Sequence, residues 1–188
     1  MEEHGNDAAS ASASAADAGA GIGERVRVLL RAAASRLAEA GARDEALAEY
    51  VGRRRVLLIP REPVMRPVGR VWRLGVLLVD GDGRAFETGS TTRAVDPGRR
   101  GYTSESARDR AEYRAAALRG RFPEGETVNF GWRSLALDHD ALLASTGPIV
   151  VADGEPVVRW GRGSAISTGL EAYLADRVDL LVDPPSGA

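Results

Sequence analysis

A chain of 188 residues, 44% hydrophobic and 28% charged, is long enough for one domain with a real core and too short for two substantial ones. It has no Cys, and all 25 basic residues are Arg, which excludes disulfides, thiolate metal sites, a cysteine nucleophile, Schiff-base chemistry and a phosphate-loop lysine. The formal charge is −2, no apolar run approaches the length of a membrane span, and the acidic start "MEEHGNDAAS" has no leader character, so a cytoplasmic protein without a membrane partner is expected.

Residues 1–21 are Ala/Ser/Gly-rich with almost nothing to bury, and their composition predicts a disordered tail ahead of one domain over 22–185. Gly19–Gly23, "GAGIG", follows no strand and is therefore no dinucleotide fingerprint. Val26, Leu29, Leu30, Ala33, Leu37 and Ala40 recur at helical steps, which predicts a helix ended by Gly41. A second short helix is expected to carry Leu47, Tyr50 and Val51. Pro60 then ends an apolar run, and Pro63 and Pro67 predict a loop or sheet edge through "REPVMRPVG".

"RVWRLGVLLVD" and "RAFETGS" read as two strands joined by the turn Asp80-Gly81-Asp82-Gly83. A helix is expected from Glu105 to Arg119 with Ala107, Ala111, Ala115 and Leu118 inward, followed by a strand in "TVNFGWRSLAL". "IVVADGEPVVRW" predicts a hairpin turning at Asp153-Gly154. Thr168-Gly169-Leu170-Glu171 matches a capping box for a last helix running to Pro184-Pro185. Two hairpins with segregated helices predict an α+β fold with a mainly antiparallel sheet.

Chemistry is harder to find. The pair Asp80 and Asp82 resembles the strand-end nucleophile of haloacid-dehalogenase-like phosphatases, but Arg84 and the missing Lys depart from that pattern, and a hairpin turn explains both aspartates. Ser167 stands in an Ala-x-Ser-x-Gly setting that resembles a nucleophile elbow, yet His4 and His139 both precede it, and Ser164, Ser167 and Thr168 more simply supply hydroxyls to the exposed N–H groups of the last helix. His139, flanked by Asp138 and Asp140, has the neighbours of a general base, but adjacent residues in a loop or first helical turn need not share a face, and an exposed histidine near a helix start is the plainer reading. One usable His without Cys makes no ordinary zinc site, and no cofactor pattern is present.

Residues 53–121 hold 16 Arg against 8 acids, between flanks that are net acidic. The stripe Arg53-Arg54-Arg55, Arg99-Arg100 and Arg108, Arg110, Arg114 has phosphate-binding chemistry. Pairing with the acidic flanks is the expectation for a chain of isoelectric point near 5.8, which disfavours nucleic acid and leaves a small-molecule ligand open.

The segments "RRRVLLIPREPVMRPVGRVWRLGVLL", "GYTSESARDRAEYRAAALRGRFPEGETVNFGWRSLAL", "PVVRW" and "LEAYLADRVDLLVDPP" resemble a family of short, uncharacterised actinobacterial proteins. Relatives there sometimes carry the label glutaminase, so the resemblance implies an amide hydrolase and brings no established catalytic residues with it. Serine-type glutaminases use Ser-x-x-Lys; the nearest match is Ser90-Thr91-Thr92-Arg93, in which a permanently protonated guanidinium replaces the amine. The chain as a whole reads as an α+β bacterial protein without a recognisable catalytic motif, for which Ser90, His139 and Ser167 are the residues to consider; a glutaminase-like amide hydrolase and a non-enzymatic protein- or nucleic-acid-interaction domain using the central arginines are the alternatives.

Overall fold

The computed structural model describes residues 6–56, 59–98, 104–160 and 167–184, with backbone alone for 6–20, Val56 and Ile59. Helix α1 runs Asn6–Glu39, so helical backbone includes most of the Ala/Ser-rich segment assigned to a tail. Alanine favours that conformation. The side chains that anchor α1 begin at Ile22 and continue through Val26, Leu30, Ala33, Ala34 and Leu37, while Ala40 is exposed.

The expected second helix is instead strand β1, Glu45–Val51. It pairs antiparallel with β4, Val64–Leu74, and parallel with β8, Thr127–Phe130. Pairing on both sides overrides weak strand propensity, since a strand between two partners satisfies its backbone, and α2 (Glu105–Arg119) on one face and Trp132 on the other bury Ala46, Leu47 and Ala48. The proline-rich stretch expected as a loop or sheet edge is likewise, from Val64 on, the first half of β4, a strand between β1 and β5 (Leu77–Asp80). Pro67 is tolerated there because the ladder breaks at that point: Leu47 pairs Gly69 and Ala48 pairs Pro67, leaving Val68 as a bulge.

"RVWRLGVLLVD" is two strands, not one. Gly75, at φ +61°, opens a two-residue turn between β4 and β5, Leu77–Asp80, closing the pair Leu74 and Leu77. Strand β6 is Ala85–Glu87, and β7 is Ser90–Arg93. "TVNFGWRSLAL" also divides, at Gly131 with φ +66°, into β8 and the short β9, Arg133–Ser134. The resulting seven-stranded sheet has the order β7-β8-β1-β4-β5-β6-β9, with β1 and β8 its parallel neighbours. A two-stranded ribbon, β2 (Arg54–Val56) with β3 (Ile59–Arg61), precedes β4.

Helix α2, Glu105–Arg119, has the expected bounds but a rotated face: Ala116 and Ala117 are buried, whereas Ala107, Ala111, Ala115 and Leu118 are only partly so. It lies on Ala46, Ala48, Met65, Val128 and Phe130. On the same side of the sheet, Trp72, Leu74, Leu77 and Val79 pack against α1 and α4, Leu170–Val182. Period-two alternation sends Leu47, Val71, Leu78 and Phe86 to the opposite face, where Trp132 covers them.

The hairpin at Asp153-Gly154 forms as read, between β10 (Ile149–Ala152) and β11 (Glu155–Arg159), with both turn residues at positive φ. Strand β12, Ser167–Gly169, adds to β11 and places Thr168 opposite Val158. The capping box is therefore overturned: Gly169 is the N-cap of α4, without a side-chain cap bond. The ladder with β11 holds the Thr168 backbone in the strand, one residue short of the N-cap position that the motif assigned to it. Tyr173 ties α4 to the first hairpin turn, its hydroxyl donating to the Leu74 carbonyl at 2.8 Å and accepting from the Val76 N–H at 3.0 Å. The mixed, mostly antiparallel sheet with helices near the start, middle and end makes the protein α+β.

Candidate binding surfaces

The aspartate pair is used by its own turn. Asp80, 7% exposed, accepts from the N–H groups of Asp82 (3.1 Å) and Arg84 (2.9 Å) and from Nε of Arg84 (2.7 Å). Arg84 also reaches Asp82 at 3.2 Å. Each carboxylate oxygen of Asp80 is thus spent on holding Gly83 at φ +77°, and Gly83 abuts the backbone of Arg31 in α1.

Ser90, His139 and Ser167 are not brought together. Ser90 is exposed on the edge strand β7, opposite Phe130. His139 opens α3, His139–Leu143, which packs against α1 and β10. Its neighbour Asp138 caps α3 by accepting from the Ala141 N–H at 2.9 Å, and buried Nδ1 of His139 has no hydrogen-bond partner. Ser167 is exposed on β12, opposite Arg159. Ser164, Arg99 and Arg100 lie outside the described residues. Among the described residues no helix is long and apolar enough to cross a membrane, and no group of three or more acidic or imidazole side chains is placed to hold a metal ion.

The central arginines divide into two sets. Arg70 bridges Asp44 (2.6 Å) and Glu126 (2.9 Å), and Arg73 approaches Glu45 at 3.6 Å, as expected for pairing with the acidic flanks. The hydrogen bond that Arg70 donates to the Asp44 carboxylate, together with the charges of Asp44 and Glu126, holds its guanidinium above its ordinary pKa. Arg73 also donates to Asn129, a side chain 1% exposed that in turn donates to Glu45 at 2.8 Å and to the Ala46 carbonyl at 3.1 Å.

Arg54, Arg55, Arg61 and Arg108 belong to the second set: they are exposed, and no acid neutralises them among the described residues. The flank-pairing expectation does not extend to them, because the ribbon stands outside the main sheet. Its base leans on α2, since Arg53 reaches both Glu62 (3.4 Å) and Glu112 (3.8 Å), and Arg119 donates to the Pro63 carbonyl at 2.6 Å. Arg108 lies one turn before Glu112 on that same flank. Within the ribbon, Arg54 stands directly opposite Arg61.

A different surface forms where β8 leaves β1. Gly131 turns the chain away after Phe130, and the bulge at Val68 loosens the other side of β1. Between them lies a hollow of about 520 Å3 lined by Glu49, Tyr50, Val68, Phe130, Gly131 and Trp132. Trp132 donates its indole N–H to the Ala48 carbonyl at 2.9 Å, satisfying an acceptor that β8 no longer reaches. Tyr50 donates to Glu112 at 2.7 Å, and burial, reinforced by that carboxylate, pushes its phenol pKa well up. Periodicity placed Tyr50 on a helix and left Trp132 within a single strand, so nothing local in the sequence marked this hollow. The signals that bear on it, a proline-flanked bulge and Gly131, acquire meaning only once the strands are paired.

Fold and surfaces together define an α+β domain with an arginine-bearing ribbon and a hollow at the β8 exit. No protein-family profile, curated protein sequence or solved structure matches the chain.

Proposed function

We infer that this protein is a non-catalytic cytoplasmic interaction domain that docks an acidic segment of a partner protein on the surface formed by the β2–β3 ribbon and the adjoining flank of α2. The observation that carries this reading is the cross-strand pair Arg54 and Arg61. Like charges directly opposite one another destabilise a strand pair, and a two-stranded ribbon has little stability to spare. A carboxylate seated between two guanidinium groups removes that repulsion and gains charge-assisted hydrogen bonds from both. Arg108 extends the same charge onto α2.

An acidic peptide is favoured over nucleic acid because the ribbon arginines are a local patch on a chain of net charge −2, which repels a long polyanion beyond the patch. The amide hydrolase implied by resemblance gains no support from the placement of Ser90, His139 and Ser167 on β7, α3 and β12.

The reading is tested by fluorescence anisotropy with a labelled octaglutamate peptide at low salt. Binding is expected, weakening as salt rises, and lost in the triple variant Arg54→Gln, Arg61→Gln, Arg108→Gln but kept in Arg43→Gln. Tighter binding of duplex DNA than of the peptide would transfer the surface to nucleic acid. Ammonia released from glutamine by the protein above a blank would restore the hydrolase.

A further inference from the structure

We propose that the acidic segment is bound in extended conformation, as a third strand on the free edge of β2; this rests on the reading of the ribbon as its dock. A two-stranded ribbon has two outer edges, and here they are not equivalent. The register pairs Arg54 with Arg61, Arg55 with Pro60 and Val56 with Ile59. Opposed residues in an antiparallel pair alternate between exchanging two hydrogen bonds and exchanging none. Proline has no N–H to donate, so Arg55 and Pro60 are a pair of the second kind, and both turn their backbone polar groups away from the ribbon. On the β3 edge this leaves a carbonyl alone, which is how a proline blunts a strand edge. On the β2 edge it leaves the N–H and C=O of Arg55 together, and neither has a partner among the described residues. Arg55 is exposed. An incoming strand finds one donor and one acceptor there, the pattern by which extended segments add to open edges.

Side-chain alternation then sets what the segment carries. Arg54 and Arg61 share one face of the ribbon, and Arg55 lies on the other. A residue laid against Arg54 is one strand spacing from it and two spacings, about 10 Å, from Arg61. A glutamate there meets both guanidinium groups along the face. The next residue, laid against Arg55, points to the other face and meets the third arginine. Two successive acidic residues are therefore recognised, one on each face. An acidic helix presents its carboxylates at three- and four-residue steps and has no free backbone donor beyond its first turn, so it matches neither the charges nor the edge. The added strand also turns a two-stranded ribbon, marginal by itself, into a three-stranded sheet.

The test uses the full chain with labelled octaglutamate at low salt, followed by amide exchange in nuclear magnetic resonance and by anisotropy. The Arg55 amide is expected to exchange freely in the unbound protein and about tenfold more slowly at saturating peptide, the effect of a hydrogen bond formed there. Octaglutamate methylated on every backbone nitrogen has the same side-chain charge and no donor for the Arg55 carbonyl, and is expected to bind about tenfold more weakly. Arg55→Pro removes the outward N–H without removing a bond within the ribbon. It should bind octaglutamate about fivefold more weakly than Arg55→Gln, which removes the same charge and keeps the N–H. An Arg55 amide that stays unprotected in the saturated complex, equal affinity for the methylated peptide, or equal binding by the two Arg55 variants overturns strand addition and leaves the dock in place. Absence of any octaglutamate binding overturns both.

Discussion

Replacing Gly83 by Ala should be among the most damaging single-methyl changes in this protein. Gly83 sits at φ +77°, where an L residue pays about 1–2 kcal/mol for its Cβ. That Cβ would also lie 2.7 Å from Cγ of Arg31 and 2.9 Å from its Cα and N. A flexible side chain can swing aside, but the backbone of α1 cannot, because the same helix buries Val26, Leu30, Ala33, Ala34 and Leu37 in the core. Forcing turn and helix apart adds an overpacking cost of about 1–3 kcal/mol. Together the two effects put the loss near 3 kcal/mol, or roughly 6–12 °C in Tm for a chain of this size. Gly81→Ala is the internal control, since nothing lies within 4 Å of its added Cβ. Gly83→Asn separates the two causes: asparagine tolerates positive φ but still carries the Cβ. Urea unfolding followed by circular dichroism measures all three. Should Gly83→Ala match Gly81→Ala within about 0.5 kcal/mol, the ordinary range for a neutral surface change, the close approach of turn and helix would be wrong.

Asp80→Ala should cost about 1–3 kcal/mol, because two turn N–H groups and Arg84 lose their acceptor, and Asp80→Asn should cost less by retaining one oxygen; equal losses by urea titration would contradict that ranking. Thr168→Ala should stay within about 0.5 kcal/mol, against the roughly 1 kcal/mol of a lost N-cap, and a melting curve showing the larger loss would return Thr168 to the cap. Asn129→Ala should lose about 1–3 kcal/mol by stranding Arg73 and Glu45 on the sheet face; an unchanged urea midpoint would show that water replaces the amide at no cost.

Elements whose residues interact with near neighbours were legible in the chain itself. The three- and four-residue spacing of Val26 to Leu37, the bounds of α2, and the turns at Asp80–Gly83 and Asp153-Gly154 all follow from steric and hydrogen-bonding preferences acting over a few residues. Composition likewise excluded thiol and lysine chemistry before any coordinate was known. Segments whose conformation depends on a distant partner could not be read this way. Leu47, Tyr50 and Val51 have helical spacing, yet β1 is a strand because β4 and β8 lie on either side of it. Thr168 has the spacing of a capping box, yet β11 takes it into a ladder. The hollow at the β8 exit depends on a bulge in β4 and on β8 parting from β1, and the unneutralised arginines depend on which acids the fold brings within reach. Local preferences amount to about 1 kcal/mol per residue at most in ordinary residues, whereas backbone satisfaction and core burial act on whole elements at once. Where the two disagree, as in β1, the long-range interactions decide.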